Sequence, residues 1–108
     1  MKTSLDATRD AVLRHTEAQL EESIVSLFGG FPSLCGFSVQ ERPGRAADGS
    51  ATLDNGLYLT EVGLYPAPAI EEAKLICEEI RITLLELLQE RPEAHQLLRG
   101  RTFARTVH

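Results

Sequence analysis

Apolar residues near the start of the chain recur at helical spacing. Side chains three, four or seven residues apart lie on one face of an α-helix. The predicted buried face consists of Leu13, Leu20, Ile24, Leu27 and Phe28. Gly29 and Gly30, followed by Phe31-Pro32, indicate where the helix ends. We therefore expect an amphipathic helix over residues 4–28.

The pattern then changes to a period of two, which is typical of a strand with one buried face. Apolar and small or polar positions alternate as Cys35, Phe37 and Val39 against Gly36, Ser38 and Gln40. A polar, turn-rich loop follows over residues 42–50. Asn55-Gly56 lies between two short apolar runs. This pair predicts a β-hairpin, because both central residues of a type I′ turn need a positive φ.

A second helix is predicted over residues 69–91, where the sequence falls into three heptads. The a and d positions are Ile70, Ala73, Cys77, Ile80, Leu84 and Leu87. Further apolar residues widen this stripe well beyond a coiled-coil seam; they are Leu75, Ile76, Ile82, Leu85 and Leu88. Only the glutamate-rich side has the composition of a solvated surface. We expect this helix to form the centre of the core and to bury Cys77.

The order of these elements predicts the fold class. We expect a single α+β domain over residues 1–108, a two-layer sandwich of α-β-β-β-α order. In it a short antiparallel meander packs on two helices. A short helix and an extended basic tail occupy residues 92–108. The long helix has more apolar surface than one small sheet and one helix can cover, which favours a homodimer through residues 69–91. A fully buried helix in a monomer would give the same pattern.

Composition narrows the function classes. Hydrophobic residues make up 43% of the chain and charged residues 25%, as in ordinary soluble domains. The net charge of −5 argues against nucleic-acid binding by the whole surface, which needs a positive potential. We expect neither a signal peptide nor a membrane span, because no long apolar run is present. Two cysteines without CxxC spacing are typical of reduced thiols in a cytoplasmic protein.

The sign of the charge changes near the C-terminus. Residues 1–91 contain 8 Lys/Arg against 15 Asp/Glu, whereas residues 92–108 contain three arginines and one glutamate. The candidate ligand-binding residues are Arg99, Arg101, Phe103 and Arg105. In an extended tail, Arg101, Phe103 and Arg105 share one face, where they could bind a phosphate or carboxylate or stack on a base. Alternatively, the arginines pair with the acidic body, or with an acidic protein partner, and Phe103 packs at the edge of the core.

Other chemistry has weaker signals. Cys35 follows a turn and precedes Gly36, so its thiol is a candidate nucleophile, although no catalytic signature surrounds the histidines. The glutamate pairs of the second helix lack the Glu-x-x-His spacing of a di-metal site. No glycine-rich stretch matches a nucleotide-binding loop, and we expect neither a metal nor a cofactor. The sequence therefore favours a non-enzymatic, self-associating protein-interaction module. The alternatives are anion, phosphate or nucleic-acid binding through the tail arginines, and a small thiol-dependent enzyme using Cys35.

Overall fold

The computed structural model describes residues 4–41, 51–53 and 56–105. Its helices and strands are, in order, α1 (Ser4–Gly30), β1 (Leu34–Glu41), β2 (Ala51–Thr52), β3 (Leu57–Leu64), α2 (Ile70–Glu90), α3 (Ala94–Leu98) and β4 (Thr102–Ala104). The predicted α+β class is confirmed. The predicted loop over residues 42–50 and part of the Asn55-Gly56 turn lie outside the described residues.

Helix α1 continues two residues beyond its predicted end. The Phe31 N–H donates to the Leu27 carbonyl at 3.1 Å, so the helical hydrogen-bond pattern runs through the two glycines. Glycine weakens a helix interior but is tolerated in the last turn. The predicted stripe packs into the core at Leu20, Ile24, Leu27 and Phe28, and Leu13 is partly exposed.

The four strands lie in the order β2-β3-β1-β4, and every neighbouring pair is antiparallel. Strands β2 and β3 form the predicted hairpin, with Gly56 at a φ of +80° between them. Strand β1 pairs with β3 rather than with β2, so the strands are not adjacent in simple sequence order. The C-terminal tail adds β4 beside β1.

Two opposing irregularities interrupt the pairing of β1 with β3. Cys35 is an extra residue in β1, and one extra residue in β3 follows opposite Phe37, where Glu61 has a φ of +53°. A bulge leaves one residue unpaired and turns it relative to its neighbours. For this reason the predicted alternation fails at Cys35, which is exposed, while Phe37 and Val39 are buried.

Helix α2 buries one face only. Its core residues are Ile76, Ile80, Leu84, Leu87 and Leu88. The prediction that Cys77 lies in the core is wrong, because this residue is partly exposed. Ile70, the first a position of the predicted heptads, is 72% exposed. The steps of four residues between core positions follow the 3.6-residue helical period, which drifts away from a strict heptad frame. Partial burial nevertheless raises the pKa of the Cys77 thiol by desolvation.

Helix α3 docks against α1 through a buried polar contact. Thr16 is fully buried, and its hydroxyl donates to Oε1 of Glu93 at 2.7 Å, with the Val12 carbonyl at 2.9 Å. This hydrogen bond, together with the backbone N–H of Glu93 and the charge of Arg91, lowers the pKa of the Glu93 carboxyl.

Among the described residues, no helix combines the length and the apolar content needed to span a membrane.

Candidate functional site

The basic tail lies along the sheet, antiparallel to β1. The Val39 N–H donates to the Arg101 carbonyl at 2.9 Å, and the Arg105 N–H donates to the Cys35 carbonyl at 2.8 Å. Gly100, at a φ of +70°, ends α3 and turns the chain into this strand. Gly36 permits the close approach of β4, since a Cβ there would lie 2.7 Å from the Phe103 carbonyl oxygen.

The Arg105 side chain binds backbone carbonyls of the same chain. Its guanidinium donates to the carbonyls of Leu34 (2.9 Å), Phe28 (2.7 Å) and Phe31 (2.9 Å). It also lies 5.2 Å from the centre of the Phe28 ring. Two of these carbonyls lie at the C-terminal end of α1, where the helix dipole favours a cation. Arg105 therefore caps α1 and ties the tail to it.

Arg101 forms a two-point ion pair with α1. Its guanidinium nitrogens lie 2.9 Å and 2.7 Å from the two carboxylate oxygens of Glu17. The hydrogen bond to Glu17 raises the pKa of the Arg101 guanidinium. The same group lies 5.0 Å from the centre of the Phe103 ring. Phe103 is buried and packs on Phe37, with ring centres 5.1 Å apart.

Glu41, at the end of β1, contacts two cationic residues of the C-terminal segment. Its carboxylate lies 3.2 Å from Nε2 of His95 and 3.7 Å from a guanidinium nitrogen of Arg99. The Arg99 side chain is 57% exposed, against 36% for Arg101. The structure thus brings Arg101, Phe103 and Arg105 to one face, as the extended pattern predicts, and places Arg99 apart from them.

Cys35 is exposed at the start of β1. Its Sγ donates to the Ser33 carbonyl at 3.6 Å. A carbonyl oxygen cannot remove the thiol proton as a histidine base would. The contact therefore supplies no general base for the predicted thiol nucleophile.

A polar network on the sheet face opposite the core has no counterpart in the sequence predictions. Ser38 is fully buried, and its hydroxyl lies 3.1 Å from a Glu61 carboxylate oxygen and 2.9 Å from the Thr102 hydroxyl. Thr60 lies opposite Ser38 in β3, and its buried hydroxyl has no hydrogen-bond partner among the described residues. The alternating sequence pattern predicts that Ser38 faces solvent. Only the register of β1, β3 and β4 shows that Ser38 lies between Thr60 and Thr102.

Helix α2 presents apolar side chains on the side opposite its core face. We define the outer face of α2 as Leu75, Glu78, Ile82, Leu85 and Gln89. Leu75 is 55% exposed and Ile82 is 37% exposed, although both are large apolar residues. Because a helix turns about 100° per residue, the five positions form one stripe along its outer side.

The polar member of the outer face is held by an ion pair within α2. Arg81 donates through Nε and a terminal nitrogen to both carboxylate oxygens of Glu78. This contact lowers the pKa of the Glu78 carboxyl and raises the pKa of the Arg81 guanidinium. Leu75, Ile82 and Leu85 therefore lie beside an ion pair whose two charges are hydrogen-bonded to each other within the helix.

Glutamate side chains line a groove between α1 and α2, but they form no metal site in the described part of the chain. No group of three or more His, Cys, Asp or Glu side chains in residues 4–41, 51–53 and 56–105 is arranged to hold a metal ion. The groove between α1 and α2 is lined by Glu22, Glu79, serines, Thr83 and apolar residues, without histidine, lysine or cysteine.

The chain matches no protein-family model, no curated protein and no solved structure.

Proposed function

We propose that this protein is a non-enzymatic interaction module that self-associates through the outer face of α2. The observation that carries the proposal is the exposure of Leu75 and Ile82 on the side of α2 that faces away from its own core. A single apolar residue on a surface is ordinary, but an aligned set along one helix is typical of an interaction surface.

The size of the apolar surface predicts a weak dimer. Burying a whole Leu or Ile side chain contributes about 1.5–3 kcal/mol. Scaled by the exposed fractions of Leu75 (55%) and Ile82 (37%), this gives about 3–5.5 kcal/mol for the four side chains that a dimer buries. The loss of translational and rotational freedom on association opposes this gain. A gain of this size corresponds to a dissociation constant of roughly 0.1–6 mM before that loss, so we expect a dimer in the millimolar range.

The tail arginines favour this proposal over anion binding. Arg105 donates three hydrogen bonds to carbonyls, and Arg101 is paired with Glu17 through two nitrogens. A phosphate would have to displace these partners before it could bind both groups. Arg99 keeps a larger exposed fraction, but a single exposed arginine is a weak anion site.

Sedimentation equilibrium over about 0.05–2 mM protein tests the proposal, since a millimolar dimer is partly populated at the top of this range. We expect the wild-type chain to form a concentration-dependent dimer. The double variant Leu75→Gln/Ile82→Gln should be monomeric over the same range, because glutamine preserves helix propensity but removes the apolar contact.

Val25→Gln is the matched control. Val25 lies on α1, away from the outer face of α2, and is 70% exposed, so its replacement should leave the dimer intact. Circular dichroism and urea unfolding of each variant establish that it is folded. A wild-type chain that stays monomeric at about 2 mM would overturn the proposal. A dimer that survives the double substitution would also overturn it.

A further inference from the structure

We propose that two copies of this chain pair with their α2 helices parallel and in register, and this inference rests on the self-association proposed above. The outer face of α2 has coiled-coil spacing. Leu75, Ile82 and Gln89 are seven residues apart and form one row, while Glu78 and Leu85 form the second. In heptad terms these rows are the a and d positions of a seam about two heptads long.

The residues that flank this seam carry opposite charges on its two sides. Lys74 and Arg81 occupy the g positions on one side, and Glu79 and Glu86 occupy the e positions on the other. Arg81 has a side chain that is 30% exposed, and the other three residues are exposed. One edge of the outer face is therefore basic and the other is acidic.

This division of charge selects the relative direction of the two helices. In a parallel pair, a g residue meets the e residue five positions further along the partner. Lys74 then faces Glu79 of the second copy. Arg81, which also holds Glu78 of its own chain, faces Glu86 of the second copy through its remaining N–H groups, so a two-fold dimer has four attractive pairs. In an antiparallel pair, g positions meet g and e positions meet e. Basic residues would then face basic residues and acidic residues would face acidic ones, which is repulsive.

Glu78 is the one seam residue that opposes this arrangement. Parallel pairing brings Glu78 of each copy toward the other, at a d position that normally takes an apolar side chain. Arg81 already neutralises this carboxylate within each chain through two hydrogen bonds. The repulsion is thereby reduced, and it contributes to the weak affinity that the small apolar surface predicts.

Disulfide trapping distinguishes the two directions. Glu71 and Gln89 lie on the same stripe at opposite ends of α2, and both are exposed. Each is replaced by cysteine, one at a time, in a Cys35→Ser/Cys77→Ala background. Parallel pairing brings each position next to its own copy, within the Cα separation of about 4.4–6.8 Å that a disulfide needs. We expect Glu71→Cys and Gln89→Cys each to form a covalent dimer under mild oxidation, while the background protein forms none.

The same two variants show the opposite result if the helices are antiparallel. A covalent dimer that forms only when Glu71→Cys and Gln89→Cys are mixed would overturn the parallel arrangement and leave self-association standing. No covalent dimer in a protein that sediments as a dimer would overturn the arrangement alone. A protein that is monomeric by sedimentation would overturn both proposals.

Charge reversal gives a second test with a matched control. Glu79→Lys/Glu86→Lys turns all four parallel pairs into repulsions, so we expect the dissociation constant to rise about tenfold or more at low salt. Antiparallel pairing predicts little change, because like charges would face each other before and after. Glu72→Lys/Glu90→Lys changes the net charge equally on the same helix, but neither position has a basic partner across the parallel seam. This control should leave the dissociation constant within about twofold, since isolated surface charges contribute little. Equal weakening by both variants would overturn the pairing.

Discussion

Replacing Gly36 with alanine should force β4 away from the sheet. The added Cβ would lie 2.7 Å from the carbonyl oxygen of Phe103 and 3.4 Å from the Cα of Ala104. The first separation is about 0.6 Å shorter than the ~3.3 Å at which carbon and oxygen normally meet. Both contacts are backbone atoms, so no side-chain rotation relieves them, and β4 has to move.

The expected loss of stability follows from what β4 holds in place. Inserting a methyl group into a tightly packed site costs about 1–3 kcal/mol. Complete detachment of β4 would expose the Phe103 side chain, which is worth roughly 2–3 kcal/mol. We therefore expect Gly36→Ala to lower the free energy of unfolding by about 2–3 kcal/mol. The amide hydrogens of Val39 and Arg105 bond β1 to the tail, and they should exchange with solvent faster in the variant.

Gly63→Ala provides the control in the partner strand. A Cβ at Gly63 would have its nearest neighbour, Cys35 Cβ, at 3.8 Å, which is ordinary van der Waals contact. We expect its free energy of unfolding to stay within about 0.5 kcal/mol of wild type. Urea unfolding and amide exchange by NMR measure both effects. Equal stability of Gly36→Ala and Gly63→Ala would refute the close packing of β4 on β1.

Three further predictions test other contacts. Thr16→Val removes the hydroxyl that lowers the pKa of Glu93. A lowered pKa stabilises the fold at any pH above the unfolded pKa of about 4.3. Urea unfolding at pH 7 should therefore show a loss of about 1 kcal/mol. That difference should shrink as the pH falls below the unfolded pKa and through the lowered folded pKa of Glu93. A difference that does not vary with pH would contradict the assignment. Arg105→Lys keeps the charge but loses the guanidinium fork, so it should lower the free energy of unfolding by about 1–2 kcal/mol in the same assay. The control, Arg99→Lys, should lower it by less than about 0.5 kcal/mol. Equal losses would argue against a cap by Arg105. Glu78→Leu replaces a carboxylate on the outer face of α2 with an apolar residue and should tighten self-association about tenfold in sedimentation equilibrium; a weaker dimer would count against this surface.

Most of the fold could be predicted because periodicity records which side of each element faces the core. The stripe of α1 and the Asn55-Gly56 turn signal led to the correct elements. The face of α2 was predicted less well, because its mixed apolar pattern fits both a heptad frame and a 3.6-residue period. The two periods differ enough to move Cys77 out of the core.

The contacts of the tail and the polar row of the sheet depend on features that local pattern does not encode. The partner of Arg101 is Glu17, which is 84 residues away, and any of the acidic residues would satisfy the same charge rule. Ser38 is buried because Glu61 and Thr102 meet over it from two other strands. Such contacts follow from the strand order and from two bulges, neither of which leaves a signal in a single sequence.

The most direct test of the central claim maps the self-association surface residue by residue. Amide NMR spectra of the wild-type chain are compared between concentrations well below and well above the dissociation constant. We expect concentration-dependent shifts to cluster on the outer face of α2, around Leu75, Ile82 and Leu85, and the β4 amides to stay unchanged. Shifts confined to the tail or the sheet would contradict the account, and so would spectra that do not depend on concentration.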